Sequence, residues 1–114
     1  MSRTKNFFKS LNRNHQPTII MATYISLMSF TDQGARNVKQ SPARAKSFRG
    51  SVEKDGVKVL GQYWTAGAYD AVLILQAESE VKVLRCLAAL AALGNVRTHS
   101  LRAFDAKEFA AIVS

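Results

Sequence analysis

At 114 residues with 47% hydrophobic content, the chain has room for one packed domain and is too short for two. Its net charge of +8 raises nucleic acid as a partner, while a single cysteine, Cys86, excludes an internal disulfide and with it a small secreted disulfide scaffold. The longest apolar runs, residues 71–75 and 87–93, fall far short of the roughly 20 residues that a membrane-spanning helix needs.

Residues 1–20 carry Arg3, Lys5, Lys9 and Arg13 and no acid, so half of the excess charge lies there. This stretch lacks the apolar centre of about 7–15 residues found in a secretory signal. It reads as a disordered leader, or as an over-extended start ahead of Met21. The domain is expected over residues 21–114 and in the cytoplasm. With twelve basic and eight acidic residues it is only mildly basic.

Thr23 to Phe30 is rich in β-branched and aromatic residues and predicts a strand. Thr31 and Asp32 offer oxygens that can accept the free N–H groups of a helix start. Val38, Ala45, Phe48 and Val52 follow at helical spacing, with a break or restart near Ser41 because Pro42 suits a first turn. Asp55-Gly56 ends that helix. Val57 to Trp64 and Tyr69 to Gln76 predict two strands of a hairpin turning at Thr65 to Ala68. Ser79 caps a second helix that runs to Leu93, where Gly94 is a left-handed terminator. Val96 to Phe104 predicts the last strand, and Asp105 caps a short closing helix. The order β-α-β-β-α-β, with a helical coda, is the split-βαβ pattern of an α+β domain.

Strands one and three are apolar at both parities, as strands covered on both faces are. Strand two mixes in Lys58 and Gln62, and strand four Arg97, His99 and Arg102, which places them at the edges. The expected four-stranded antiparallel order is 4-1-3-2. Two helices can cover only one face of such a sheet. At about 1.5–3 kcal/mol each, leaving four large apolar side chains wet on the other face forfeits roughly 6–12 kcal/mol. That is comparable with the whole stability of a small domain, about 5–15 kcal/mol. A second copy of the sheet, forming a dimeric α/β barrel, is the simplest cover; the closing helix and a bound ligand are the alternatives.

Several fragments resemble a known family. Gly67-Ala68-Tyr69-Asp70 followed by alternating aliphatics is similar to the signature of the GYD domain family. Phe30-Thr31-Asp32-Gln33-Gly34, Tyr63-Trp64-Thr65 and Leu93-Gly94-Asn95-Val96-Arg97-Thr98 add to the likeness, in the same order, over residues 21–114. Ala68 stands where the family often has an acidic or polar residue. The resemblance implies a ferredoxin-like α+β domain and attaches no activity to it.

Among residues that could carry chemistry, Asp70 is the catalytic candidate, since a carboxylate at the mouth of an apolar strand can act as a general base. Its structural reading is a turn cap that accepts backbone N–H bonds. Trp64, Gly67, Tyr69 and Asp70, with Tyr63 nearby, could edge a small-molecule pocket, although aromatics at strand positions also serve cross-strand packing. His99 with Arg97 and Arg102 could hold an anion or simply solvate an edge strand. One cysteine and two scattered histidines give no metal-ligand spacing, and Gly56, Gly61, Gly67 and Gly94 are isolated, with no phosphate-cradling cluster. No cofactor is expected. Arg36, Lys39, Arg44, Lys46, Arg49 and Lys54 make the first helical region basic. The middle strands offer aliphatics rather than the stacking aromatics an RNA-binding sheet uses.

Three functions follow in order: a homodimer that binds a small molecule in the cavity between sheets, a non-catalytic protein-interaction or regulatory module, and weak anion or nucleic-acid binding through the first helix. Whether the domain is an enzyme stays open at this level.

Overall fold

A computed structural model describes residues 21–114; the reading of residues 1–20 as a leader lies outside the described residues. β1 (Ala22–Phe30) leads into a short helix, α1 (Asp32–Arg36), and a single 3-10 turn at Val38–Gln40. α2 (Ser41–Lys54) then restarts with Pro42 in its first turn, where the missing N–H costs nothing. β2 (Lys58–Trp64) and β3 (Ala71–Ala77) form the hairpin, α3 (Glu80–Ala92) crosses back, and β4 (Val96–Ala103) is followed by α4 (Ala106–Val113).

Local chemistry sets the helix ends. The Thr31 hydroxyl accepts the Gly34 N–H at 3.1 Å, and the Ser79 hydroxyl accepts the Lys82 N–H at 3.2 Å. Asp105 forms a reciprocal capping box with Glu108. Gly56 and Gly94, at φ of +87° and +80°, turn the chain out of α2 and α3 in a conformation that a Cβ would strain.

The sheet is antiparallel throughout, in the order β2-β3-β1-β4, which reads 4-1-3-2 when counted from the β4 edge. The central strands are therefore β1 and β3. β1 pairs with β4 over eight residues without interruption, whereas β2 shifts register between Val59 and Gly61, leaving Leu60 as an extra residue.

α2 and α3 lie on one face. Leu73, Leu75 and Ala77 of β3 pack there with Val52, Val83, Cys86 and Leu87, and Tyr24, Met28 and Phe48 border them. Ser26 of β1 points into this layer, 0% exposed, and its hydroxyl meets that of Ser100 on β4 at 3.0 Å. The pair satisfies a buried polar group that would otherwise carry a desolvation penalty of about 1–3 kcal/mol.

Two sequence expectations change. Val38 does not share the helical face of Ala45, Phe48 and Val52, because the chain breaks before Pro42 and leaves Val38 in the 3-10 turn, 43% exposed. Tyr69 and Asp70 precede β3 rather than opening it, because the Asp70 backbone is used in the turn: its C=O accepts from the Thr65 N–H at 2.9 Å.

Candidate functional site

Three of the motif fragments meet at the C-terminal end of β1. Asp70 donates its N–H to the Met28 carbonyl at 2.8 Å, and its Oδ2 accepts the Phe30 N–H at 2.8 Å. One residue thus clasps the hairpin to β1 through backbone and side chain together, and the carboxylate engages in a charge-assisted bond. On the far side, the Thr31 N–H donates to the Asn95 carbonyl at 3.1 Å, and the Thr31 hydroxyl donates to the Gly94 carbonyl at 2.6 Å. Gln33 Nε2 reaches both the Leu93 carbonyl and Asn95 Oδ1 at 3.0 Å. Gly34 sits so close that a Cβ there would lie 2.0 Å from the Asn95 carbonyl oxygen. The fragments at 30–34, 67–70 and 93–96 are thus fasteners between elements.

The residues expected to edge one pocket are divided by the sheet. Trp64 pairs with Ala71 on the helix side, where its indole N–H donates to the Ser41 hydroxyl at 2.9 Å. It lines a small cavity of about 70 Å³ together with Met28, Phe48 and Leu90. Tyr69 lies on the opposite face, edge-on to His99 with ring centroids 5.9 Å apart. Asp70 is held at the strand junction. Gly67, at φ +142°, occupies the turn with open space around it.

The basic residues of β4 divide in the same way. Arg97 and His99 share the open face with their β1 partners Ser29 and Leu27, but Arg102 pairs with Tyr24 on the helix side. There its guanidinium lies 5.8 Å from the Tyr24 ring centroid and 4.3 Å from that of Phe104, a cation–π arrangement. The three do not converge on one anion site. Among the described residues no group of three His, Cys, Asp or Glu side chains is placed to hold a metal ion. Cys86 is buried in α3, and burial, with a smaller contribution from the Asp55 carboxylate, pushes its thiol up to about 11. It stays protonated at neutral pH and is a poor nucleophile there.

The face turned away from α2 and α3 carries a different pattern. Strand register sets Leu101, Ile25, Ile74 and Gly61 in one row across the sheet, and His99, Leu27, Val72 and Tyr63 in the next. A Cβ on Gly61 would come within 2.8 Å of the Tyr63 ring, so the absent side chain lets that ring lie down over the sheet. Polar rows flank the pair: Thr23 and Gln76 on one side, Ser29 and Arg97 on the other. Leu101 and Tyr63 stay 54% and 59% exposed. α4 offers no cover, since none of its own residues is buried and Phe109, Ile112 and Val113 are themselves exposed. An apolar strip with polar borders is the form of an association surface.

Comparison with known proteins agrees with the motif reading. The pattern that defines the GYD domain family matches residues 24–113. The chain belongs to the GYD domain family. A curated relative from Thermus thermophilus, named glutamine synthetase and cystathionine beta-lyase binding protein, is 37% identical over 92 residues, covering 80% of this chain and 97% of the relative. No solved structure matches the chain. Among the described residues, no helix is long and apolar enough to cross a membrane.

Proposed function

We propose that this GYD domain is a protein-binding module: a cytoplasmic homodimer of ferredoxin-like protomers that engages enzymes as partners. The observation that carries this reading is the uncovered double row of apolar side chains on the sheet, in a protein similar to one named for binding two enzymes. Two copies placed face to face would bury Leu101, Ile25, Leu27, Val72, Ile74 and Tyr63 of each, and a two-fold axis lets one strip serve as its own complement. The helix layers would then face outward and be free for a partner. A barrel-like interior of this kind is the finer form of the reading.

Small-molecule binding is the second reading, favoured by the apolar cavity beside Trp64. At about 70 Å³ that cavity is far smaller than ligand pockets, which occupy on the order of 300–1,000 Å³, so size argues against a ligand there.

Two measurements test the proposal. Sedimentation velocity of the wild type is expected to show a dimer, and Leu101→Asp a folded monomer. Calorimetric titration against glutamine synthetase and cystathionine beta-lyase of the same organism is expected to show micromolar binding to at least one of them. A folded protein that stays monomeric at 100 μM and binds neither enzyme would overturn the reading.

A further inference from the structure

The helix layer has a channel of its own. α2 and α3 run antiparallel on the sheet and do not close on each other. Arg44, Phe48 and Val52 of α2, with Asp55 at its C-terminal cap, are spaced at three and four residues and line up along one side of a groove of about 490 Å³. Lys82, Arg85, Cys86, Ala89 and Leu90 of α3, with Leu93 at its C-terminal cap, line the other side with the same period. Phe48, Val52 and Leu90 make the floor apolar, whereas Ser47, Ser51 and Ala89 keep the walls low. The facing stripe from Arg44 to Asp55 is about 17 Å long at 1.5 Å per residue, enough for roughly three turns of a third helix.

The charge of the rim identifies the occupant. Asp55 and Lys82 lie at one end, and Lys82 is already paired with Glu78 at 3.4 Å. Arg44 and Arg85 remain, and among the described residues neither has a carboxylate within salt-bridge distance. Arg44 spends one N–H on the Asn37 carbonyl at 2.9 Å and keeps its other donors. A filling segment must therefore be apolar on one side and negative on its flanks. Residues 1–20 have the wrong sign, with four basic residues and no acid. α4 of a second copy, with its cap Asp105, brings two acids and one lysine, a single net negative charge set against two unpaired arginines. A nucleic acid would match the charge, but it would find an aliphatic floor with one phenyl ring in place of a stacking platform.

We infer that the α2–α3 groove binds an acidic amphipathic helix of a partner protein. Its apolar side would seat on Phe48, Val52 and Leu90, and its carboxylates would pair with Arg44 and Arg85. This is helix-in-groove recognition, in which apolar anchors give affinity and flanking charge gives orientation. It rests on the protein-binding reading above and assigns that binding to a specific surface.

The test uses the full chain and a fluorescein-labelled 16-residue peptide with leucines at helical spacing and glutamates on its flanks, followed by anisotropy. Saturable binding is expected, weakened tenfold or more by Arg44→Glu combined with Arg85→Glu, and changed less than twofold by Lys39→Glu, which carries the same reversal away from the groove. Amide chemical-shift changes are expected at residues 44–55 and 82–93. Equal binding of a scrambled peptide of the same composition, indifference to the double reversal, no binding at 1 mM peptide, or shifts confined to the open sheet face would each overturn the inference. So would displacement of the peptide by a uridine 20-mer, which would assign the groove to nucleic acid. If the double variant still binds the two enzymes as wild type does, the groove is wrong and the broader reading stands. If the peptide binds as expected but neither enzyme does, the groove stands and the choice of partners is wrong.

Discussion

Around Phe30 the side chains of Asp70, Thr31 and Gln33 are each tied to the backbone of another element, and Gly34 lies against the Asn95 carbonyl with no room to spare. Two rows along the same sheet, Tyr63 and Leu101 remain more than half exposed, and α4 beyond them buries nothing. Three of the four family fragments sit in the first region, while the fourth, Tyr63-Trp64-Thr65, supplies Tyr63 to the second. A family signature in this domain therefore reports how the fold is fastened.

The sharpest way to break that contrast is Gly34→Ala. The new Cβ meets backbone on a neighbouring segment, which has no side-chain rotation to offer as relief, so a loss of about 3 kcal/mol in urea unfolding is expected. For a domain of this size that lowers the melting temperature by roughly 12–24 °C. A shift below 2 °C would show that the Asn95 segment yields and is no fastener.

Asp70→Ala removes the acceptor of the Phe30 N–H and should cost about 1–3 kcal/mol in the same assay. Asp70→Asn keeps an oxygen in place and is expected to retain at least half of that. Were both variants as stable as wild type, the clasp would be idle and the carboxylate free for chemistry.

Asp105→Ala probes the other side of the comparison. Loss of the capping box costs α4 about 1 kcal/mol locally. Because α4 buries nothing, the global midpoint should stay put while amides 106–113 exchange about fivefold faster. A fall in the global midpoint would mean that α4 is already packed in solution, as it would be against a second copy.

The smallest effect concerns Cys86. A thiol at about 11, against an ordinary 9.0, holds on the order of a hundredfold less thiolate at pH 8, so native-state alkylation should be slower than in urea by at least that factor and should speed up with pH. The folded value exceeds the unfolded one, so the associated stability is fully present below about 9 and is lost as pH rises through about 11. Alkylation at the same rate in both states would place the sulfur in solvent.

Much of the scaffold could be read from local chemistry. Thr31, Ser79 and Asp105 announce helix starts because a cap acts within three residues, and Pro42 announces a restart because it lacks an N–H. The two-sided apolarity of β1 and β3 placed them centrally. What was not legible depends on geometry between elements. Trp64 and Tyr69 part to opposite faces because the turn between them folds back through Thr65 and Asp70, which strand alternation alone does not encode. The groove went unread although its period is present at 44, 48, 52 and 55, because facing stripes on two helices look the same whether they touch or stand apart. The division of Arg97 and His99 from Arg102 was readable from parity; grouping the three by charge hid it.

The unequal edges of the sheet set a limit on growth. Leu60 spoils the hydrogen-bonding line of β2, while the outer side of β4 is straight from Val96 to Ala103. Backbone-to-backbone recruitment of another chain would therefore start at β4, and two molecules joined there would have spent their straight edges on each other. Growth along the sheet itself would stop at that pair.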